Sequence, residues 1–177
     1  MWPWGHAAVG YCLFTVLSMA YRRRPLTTTE AVVVVIGTQI PDLIDKPLSW
    51  SFGLLPSGRS LGHSLLVWAV VAVVVLVVAR KVQRDGVATL LLGGYFVGAI
   101  TDVPGDVLTD VSRATFLVWP VLPSPVYDAE PSFLYHLAQL EADELVRAPL
   151  ILLMVVAIQF VLSTLVRVGR DRVSESP

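Results

Sequence analysis

The sequence predicts an all-α protein, a polytopic membrane helical bundle of about five transmembrane helices with one further amphipathic helix at the membrane surface. The chain of 177 residues is 55% hydrophobic and only 15% charged, and its mean hydropathy of +0.69 exceeds that of ordinary soluble domains. Apolar runs approaching the roughly 20 residues that a helix needs to cross a bilayer recur along it. Basic residues cluster at alternate ends of these runs, as helices that cross back and forth require. We therefore expect residues 1–177 to form a single integral membrane domain.

Five apolar runs are predicted to form the spans. The first covers residues 5–21 and lacks the basic segment that precedes the apolar part of a cleaved secretory signal, so we expect it to remain as a helix. The second covers residues 31–44. The third, 61–79, is the most uniformly apolar, and the fourth, 87–102, is uncharged until its last residue. The fifth covers residues 148–166.

The segment 103–147 is predicted to lie outside the membrane between the fourth and fifth spans. Its prolines preclude one continuous helix, and they are Pro104, Pro120, Pro123, Pro125 and Pro131. Residues 115–122 form an apolar stretch too short to span, which is typical of a re-entrant or interfacial segment. Residues 132–147 mix leucines with acidic side chains, which predicts the amphipathic helix at the outer surface.

The basic residues predict the orientation of the chain. When the five spans alternate, nine of the thirteen fall on one side, namely Arg22, Arg23, Arg24, Arg80, Lys81, Arg84, Arg167, Arg170 and Arg172. The positive-inside rule then predicts a multi-pass protein of the cell membrane with an external N-terminus and a cytoplasmic C-terminus. Membrane lipid is the expected partner, whereas the net charge of −1 argues against nucleic acid, whose phosphates require a basic surface.

The same orientation gathers histidines and acids at the outer ends of the helices, namely His6, Asp42, Asp45, His63, Asp102, Asp106 and Asp110. Carboxylates at a membrane are costly and are functional candidates by default. Asp42 and Asp45 are three residues apart and Asp102 and Asp106 four, so each pair shares a helix face. Aspartate oxygens with one or two imidazoles suit Zn, Mn or Mg. Taken singly, each residue also has a simpler interpretation, such as ending a helix in a solvated loop.

Arg59 is the candidate for binding an anion. It lies between Gly58 and Gly62, close to His63, and a guanidinium group matches a phosphate bidentately. An interfacial arginine that meets lipid headgroups is the alternative interpretation.

Several short motifs, in this order, resemble the YdjM-like family of membrane-bound metal-dependent hydrolases, also described as LexA-binding and inner-membrane associated. These motifs are His6 with Gly10, Pro41-Asp42-Leu43-Ile44-Asp45, Gly62-His63-Ser64-Leu65, Gly98-Ala99-Ile100-Thr101-Asp102 followed by Asp106-Val107-Leu108-Thr109, and Trp119-Pro120. The resemblance implies a metal centre formed by His6, Asp42, Asp45, His63, Asp102 and Asp106. It also implies hydrolysis of a membrane-accessible ester or phosphoester.

Two positions depart from the family pattern. Gly58 stands where the third motif usually has its leading histidine, and Asp102 stands where the fourth motif usually has a histidine four residues before Asp106. An aspartate can still bind a hard metal ion, but glycine supplies no side chain.

The leading hypothesis is a membrane-bound metal-dependent hydrolase at the extracytoplasmic membrane face, which acts on an ester or phosphoester such as a lipid-linked one. A divalent ion would activate a bound water, Arg59 would hold the anionic group of the substrate, and Asp102 or Asp106 would be the general base. The rival hypothesis is a non-catalytic membrane protein that binds a cation or a lipid headgroup, or a scaffold with a degenerate site. The loss of the histidine at Gly58 favours the rival.

Overall fold

The computed structural model describes residues 3–124, and every regular element in this part of the chain is a helix. The α-helices are α1 (Pro3–Arg22), α2 (Thr28–Lys46), α3 (Leu65–Lys81), α4 (Asp85–Ile100) and α5 (Val103–Thr109). A short π-helical turn, Pro47–Ser51, follows α2, and a 3-10 helix, Val111–Val118, follows α5. The predicted fifth span and the predicted amphipathic helix lie outside the described residues.

The prediction of a polytopic membrane bundle is contradicted. Within residues 3–124, no helix combines the length and the apolar character needed to cross a membrane. The most apolar helices, α3 and α4, have only 17 and 16 residues, because Ser64 caps the start of α3 at a point inside the predicted run and α4 ends at Ile100. The longer α1 and α2, with 20 and 19 residues, interrupt their apolar faces with polar side chains.

The turn between α1 and α2 is fixed by Glu30. Thr27 and Glu30 form a capping box at the start of α2, in which the Thr27 hydroxyl accepts the Glu30 N–H and the Glu30 carboxylate accepts the Thr27 N–H. Two nitrogens of the Arg24 guanidinium donate to the same carboxylate at 2.7 and 2.8 Å. The Arg24 hydrogen bonds, together with the cap, lower the pKa of Glu30 from 4.5 to about 2.

Helix α2 packs against both α1 and α4. It approaches α4 closely at Gly37, where an added Cβ would fall on the carbonyl oxygen of Leu91 and within 3.0 Å of the Gly94 Cα. The two backbones therefore touch without intervening side chains. This contact holds the C-terminal ends of α2 and α4 in fixed relation to each other.

The helix ends are segregated by charge in the described part of the chain. The start of α1, the end of α2, the residues before α3 and the end of α4 meet at one end of the fold, because His6 contacts both Asp42 and Asp102. At the opposite end, Arg22 pairs with Glu30. Of the seven predicted histidines and acids, the structure brings five together at this end, namely His6, Asp42, Asp45, His63 and Asp102, and Lys46 and Arg59 accompany them. Asp110 instead caps the 3-10 helix through Ser112.

Candidate metal centre

Four of the predicted ligands lie within a few ångströms of one another, and we call them the His/Asp cluster: His6, Asp42, His63 and Asp102. The Nε2 atom of His6 is 3.6 Å from Oδ2 of Asp42 and 3.9 Å from Oδ2 of Asp102. The Nε2 atom of His63 is 3.7 Å from Oδ1 of Asp42. All four side chains are buried. Residues from four separate stretches of the chain therefore share one interior site.

The orientation of His6 is set by Thr101. The His6 Nδ1 lies 2.6 Å from the Thr101 hydroxyl, and that hydroxyl donates its only hydrogen to the carbonyl oxygen of Gly98 at 3.1 Å. The hydroxyl must therefore accept from Nδ1–H. Burial lowers the pKa of His6 by more than Asp42 and Asp102 raise it, so the ring is neutral at pH 7. Its Nε2 consequently carries a lone pair directed at the two carboxylates.

The orientation of His63 is set by Asp45. The His63 Nδ1 is 2.8 Å from Oδ2 of Asp45, and the two side chains are completely buried. A carboxylate accepts, so a hydrogen of the ring lies on Nδ1, and Nε2 faces Asp42. The ring of Phe116 packs edge-on against the imidazole with a centroid distance of 5.9 Å, which restricts its rotation.

Asp45 also organises the loop before α3. Its carboxylate accepts the backbone N–H groups of Ser60 at 2.7 Å, Gly62 at 2.7 Å and His63 at 3.2 Å. With the imidazole, four donors occupy its two oxygens. This is a positioning role that the sequence did not indicate, and a direct bond from Asp45 to a metal stays a prediction.

Gly62 allows this loop to lie against α2. A Cβ at position 62 would be 2.7 Å from the carbonyl oxygen of Pro41 and 2.9 Å from its Cα. Only glycine avoids this clash, so His63 reaches Asp42 because its neighbour has no side chain.

The Nε2 atoms of His6 and His63 are fully buried and have no hydrogen-bond partner among the described residues. Both Nε2 atoms therefore face carboxylate oxygens without a hydrogen bond, an arrangement that a cation between them would stabilise. Two ligands of one ion at bond lengths of about 2.1 Å are at most about 4.2 Å apart. The three separations between histidine nitrogens and carboxylate oxygens given above fall below this limit, so each of these pairs is close enough to share one ion.

The carboxylates of the cluster are neutralised by cations of the chain itself. The Lys46 Nζ is 2.6 Å from Oδ2 of Asp42, and the Arg59 Nε is 3.2 Å from Oδ2 of Asp102. With the side chains in these positions, no three or more His, Cys, Asp or Glu residues within 3–124 form a group that could hold a metal ion. Binding an ion in the cluster therefore requires side-chain movement.

Asp102 follows α4 and is held ionised by its neighbour. Burial raises its pKa, but the Arg59 guanidinium and other positive groups outweigh burial, and the pKa of Asp102 lies below its ordinary value. Asp106 lies in α5, and its side chain is outside the described part. Arg59 lies at the cluster with its Nε against Asp102, and its predicted binding of an anion stays a prediction.

Sequence reasoning missed two residues of the site. Thr101 directly precedes Asp102, and a hydroxyl beside a predicted ligand is a signal for a residue that orients a histidine. Lys46 stands four residues after Asp42 in α2, a spacing that predicts an ion pair on one helix face.

Fold and site define a helical protein that buries two histidines and three aspartates where four helix ends meet. The family model described as YdjM inner membrane protein matches residues 1–169. The chain therefore belongs to this family, which confirms the resemblance seen in the sequence, and it is a membrane-associated protein. No curated protein and no solved structure matches the chain.

Proposed function

We propose that this protein is a membrane-associated hydrolase that binds a divalent metal ion, Zn, Mn or Mg, in the His/Asp cluster and acts on an ester or phosphoester. The observation that carries the proposal is the pair of buried imidazole Nε2 atoms that face Asp42 without a hydrogen-bond partner. Both rings are oriented through Nδ1, by Thr101 and by Asp45. Metal-ligating histidines in proteins are held in this way.

A hydrogen bond from Nε2 explains the approach of the two imidazoles to Asp42 less well than a metal ion does. A proton on Nε2 of His6 or His63 would need an oxygen within about 3.2 Å to form a hydrogen bond, and the nearest measured separations are 3.6 and 3.7 Å. Such gaps are too long for a hydrogen bond, but they are short enough for two ligands of one ion.

The remaining groups of the site suit hydrolysis. A divalent cation supplies a bound water of lowered pKa and polarises the phosphoryl or carbonyl oxygen of a substrate. Whichever of Asp102 and Asp106 is not a metal ligand is the candidate to accept a proton from the attacking water. The Arg59 side chain is 23% exposed, so its guanidinium can meet an anionic group that approaches from outside.

A lipid-linked ester or phosphoester is the substrate class we propose, because the protein belongs to a membrane family and an arginine stands beside the cluster. The extracytoplasmic side stays a prediction from the distribution of basic residues. To test this prediction, Ser51, beside the cluster end of α2, is replaced by cysteine in a Cys12→Ser background. Intact cells are then treated with a membrane-impermeant maleimide, which labels the new cysteine only if it faces the outside.

A non-catalytic protein that binds a cation or lipid headgroup is the second candidate. The observation that favours it is the ion pairing of Asp42 with Lys46 and of Asp102 with Arg59, which balances the charge of both acids without a metal ion. Gly58 also supplies no ligand.

Elemental analysis of tag-free, detergent-purified protein tests the proposal. Wild type should carry close to one equivalent of Zn, Mn or another divalent metal, and Asp42→Asn and His63→Ala should lose it. Asp85→Asn, in the first turn of α4 at the opposite end of the fold, is the matched control and should retain the metal. A metal content that is absent from wild type, or equal in all four proteins, would exclude the metal centre. Hydrolysis of generic phosphoesters by the metal-loaded protein then separates the enzyme from the binding protein.

A further inference from the structure

One carboxylate oxygen of Asp42 in the His/Asp cluster faces both Lys46 and His6. Oδ2 of Asp42 accepts from Lys46 Nζ at 2.6 Å, and the same oxygen faces the partnerless Nε2 of His6 at 3.6 Å. An ion that joins His6 to Asp42 through Oδ2 would bind beside this ammonium. The lysine and such an ion therefore compete for the same oxygen.

Two positive charges so close to one oxygen repel each other strongly. An ion bound at about 2.1 Å from Oδ2 would lie within a few ångströms of the Lys46 ammonium, where the repulsion amounts to several kcal/mol at an effective dielectric constant of about 20. The lysine must therefore leave as the ion enters.

The Lys46 side chain has access to solvent. Lys46 is the last residue of α2, and its side chain is 26% exposed, so a change of rotamer brings the ammonium to solvent. In its present position on Asp42, the ammonium also lies 5.6 Å from the centroid of the Trp50 ring, a contact that a cation favours.

We propose that Lys46 is an internal competitor of the metal ion. It neutralises Asp42 in the metal-free chain, is displaced when the ion binds and so sets the metal affinity of the site. The inference rests on the proposed metal centre and concerns the residue that determines how tightly the ion is held.

Zinc affinity is the direct measurement. Zinc binds nitrogen and oxygen ligands more tightly than manganese does, so Zn²⁺ competed against a chromophoric chelator is a sensitive probe for tag-free protein in detergent. Lys46→Met should bind Zn²⁺ at least about tenfold more tightly than wild type, because a competing charge within about 4 Å is removed. Lys46→Arg keeps the charge and should stay close to wild type. Lys81→Met, at the far end of α3, is the matched control and should not change the affinity.

The outcomes separate this inference from the proposed function. Zinc binding by wild type with equal or weaker binding by Lys46→Met overturns the competition and leaves the metal centre standing. No binding by any of the proteins overturns both. Binding that appears only in Lys46→Met supports the competition. If that variant folds poorly, zinc should raise its unfolding temperature by more than it raises that of wild type, and an equal or smaller rise counts against the competition.

Discussion

The Nδ1 atom of His63 donates to Oδ2 of Asp45 at 2.8 Å while both side chains are excluded from solvent. This bond places a ring hydrogen on Nδ1, and Nε2 faces Asp42. The same carboxylate holds three backbone N–H groups of the loop before α3. Asp45 thus holds both the loop before α3 and the Nδ1 hydrogen of His63. Asp42 holds no loop in this way.

Asp45→Asn should destabilise the protein far more than Asp42→Asn. The amide introduced at position 45 would present hydrogens to donors that now bind a carboxylate, and we expect the free energy of unfolding to fall by about 3 kcal/mol or more. Asp42→Asn loses the Lys46 ion pair, but its new amide can donate an N–H toward a histidine Nε2, so its stability should stay within about 1 kcal/mol of wild type. Equilibrium unfolding in detergent measures both, and equal losses would contradict the assigned roles.

Thr101→Val should weaken metal binding without unfolding the protein. The substitution removes the acceptor for His6 Nδ1–H, which frees the ring to rotate and to change tautomer. Loss of such an outer partner typically costs about 10-fold to 100-fold in metal affinity. Thr89→Val is the matched control, because its hydroxyl also bonds a backbone carbonyl of α4 but lies away from the cluster. Equal zinc affinities for the two variants would refute the role of Thr101.

Gly37→Ala should separate α2 from α4. The added methyl group collides with the Leu91 carbonyl oxygen, and overpacking of this kind costs about 1–3 kcal/mol. Gly86→Ala is the control, since a Cβ there meets no atom within 4 Å, and its higher helix propensity should leave stability unchanged or slightly raised. Thermal unfolding followed by circular dichroism would show the contrast, and a harmless Gly37→Ala would argue against the close helix contact.

Glu30→Gln should lower stability at neutral pH but not in acid. Hydrogen bonds from Arg24 lower the pKa of Glu30 from 4.5 to about 2, so folding favours the ionised form. The stabilisation is complete above about pH 4.5 and is lost as the pH falls towards 2. The unfolding temperatures of wild type and Glu30→Gln should therefore differ at pH 7 and converge near pH 2. A difference that does not change with pH would show that the charge of Glu30 contributes nothing.

The sequence predicted the membership of the His/Asp cluster better than its geometry. The segregation of charge along the chain is enough to assign His6, Asp42, His63 and Asp102 to one end of the fold. The tautomers of both histidines depend on contacts across the fold, such as the one between His6 and Thr101, which are 95 residues apart. Spacing along the chain carries no information about such contacts.

The prediction of membrane-spanning helices within residues 3–124 was wrong because hydropathy was counted across helix boundaries. The run 61–79 included four residues that belong to the loop held by Asp45, and α3 begins only at Leu65. The Ser64 cap was readable as a start signal, as was the Thr27 and Glu30 capping box of α2. Composition indicated membrane association, which the family confirms, but it did not give the helix lengths.

If the proposed centre forms, the Nε2 atoms of His6 and His63 bind the same metal ion. X-ray absorption at the zinc edge of the stoichiometrically loaded, tag-free protein detects these bonds. We expect two imidazole nitrogens at about 2.0 Å in wild type, and one in each of His6→Ala and His63→Ala. A zinc shell without imidazole scattering, or one that is the same in wild type and both variants, would contradict it.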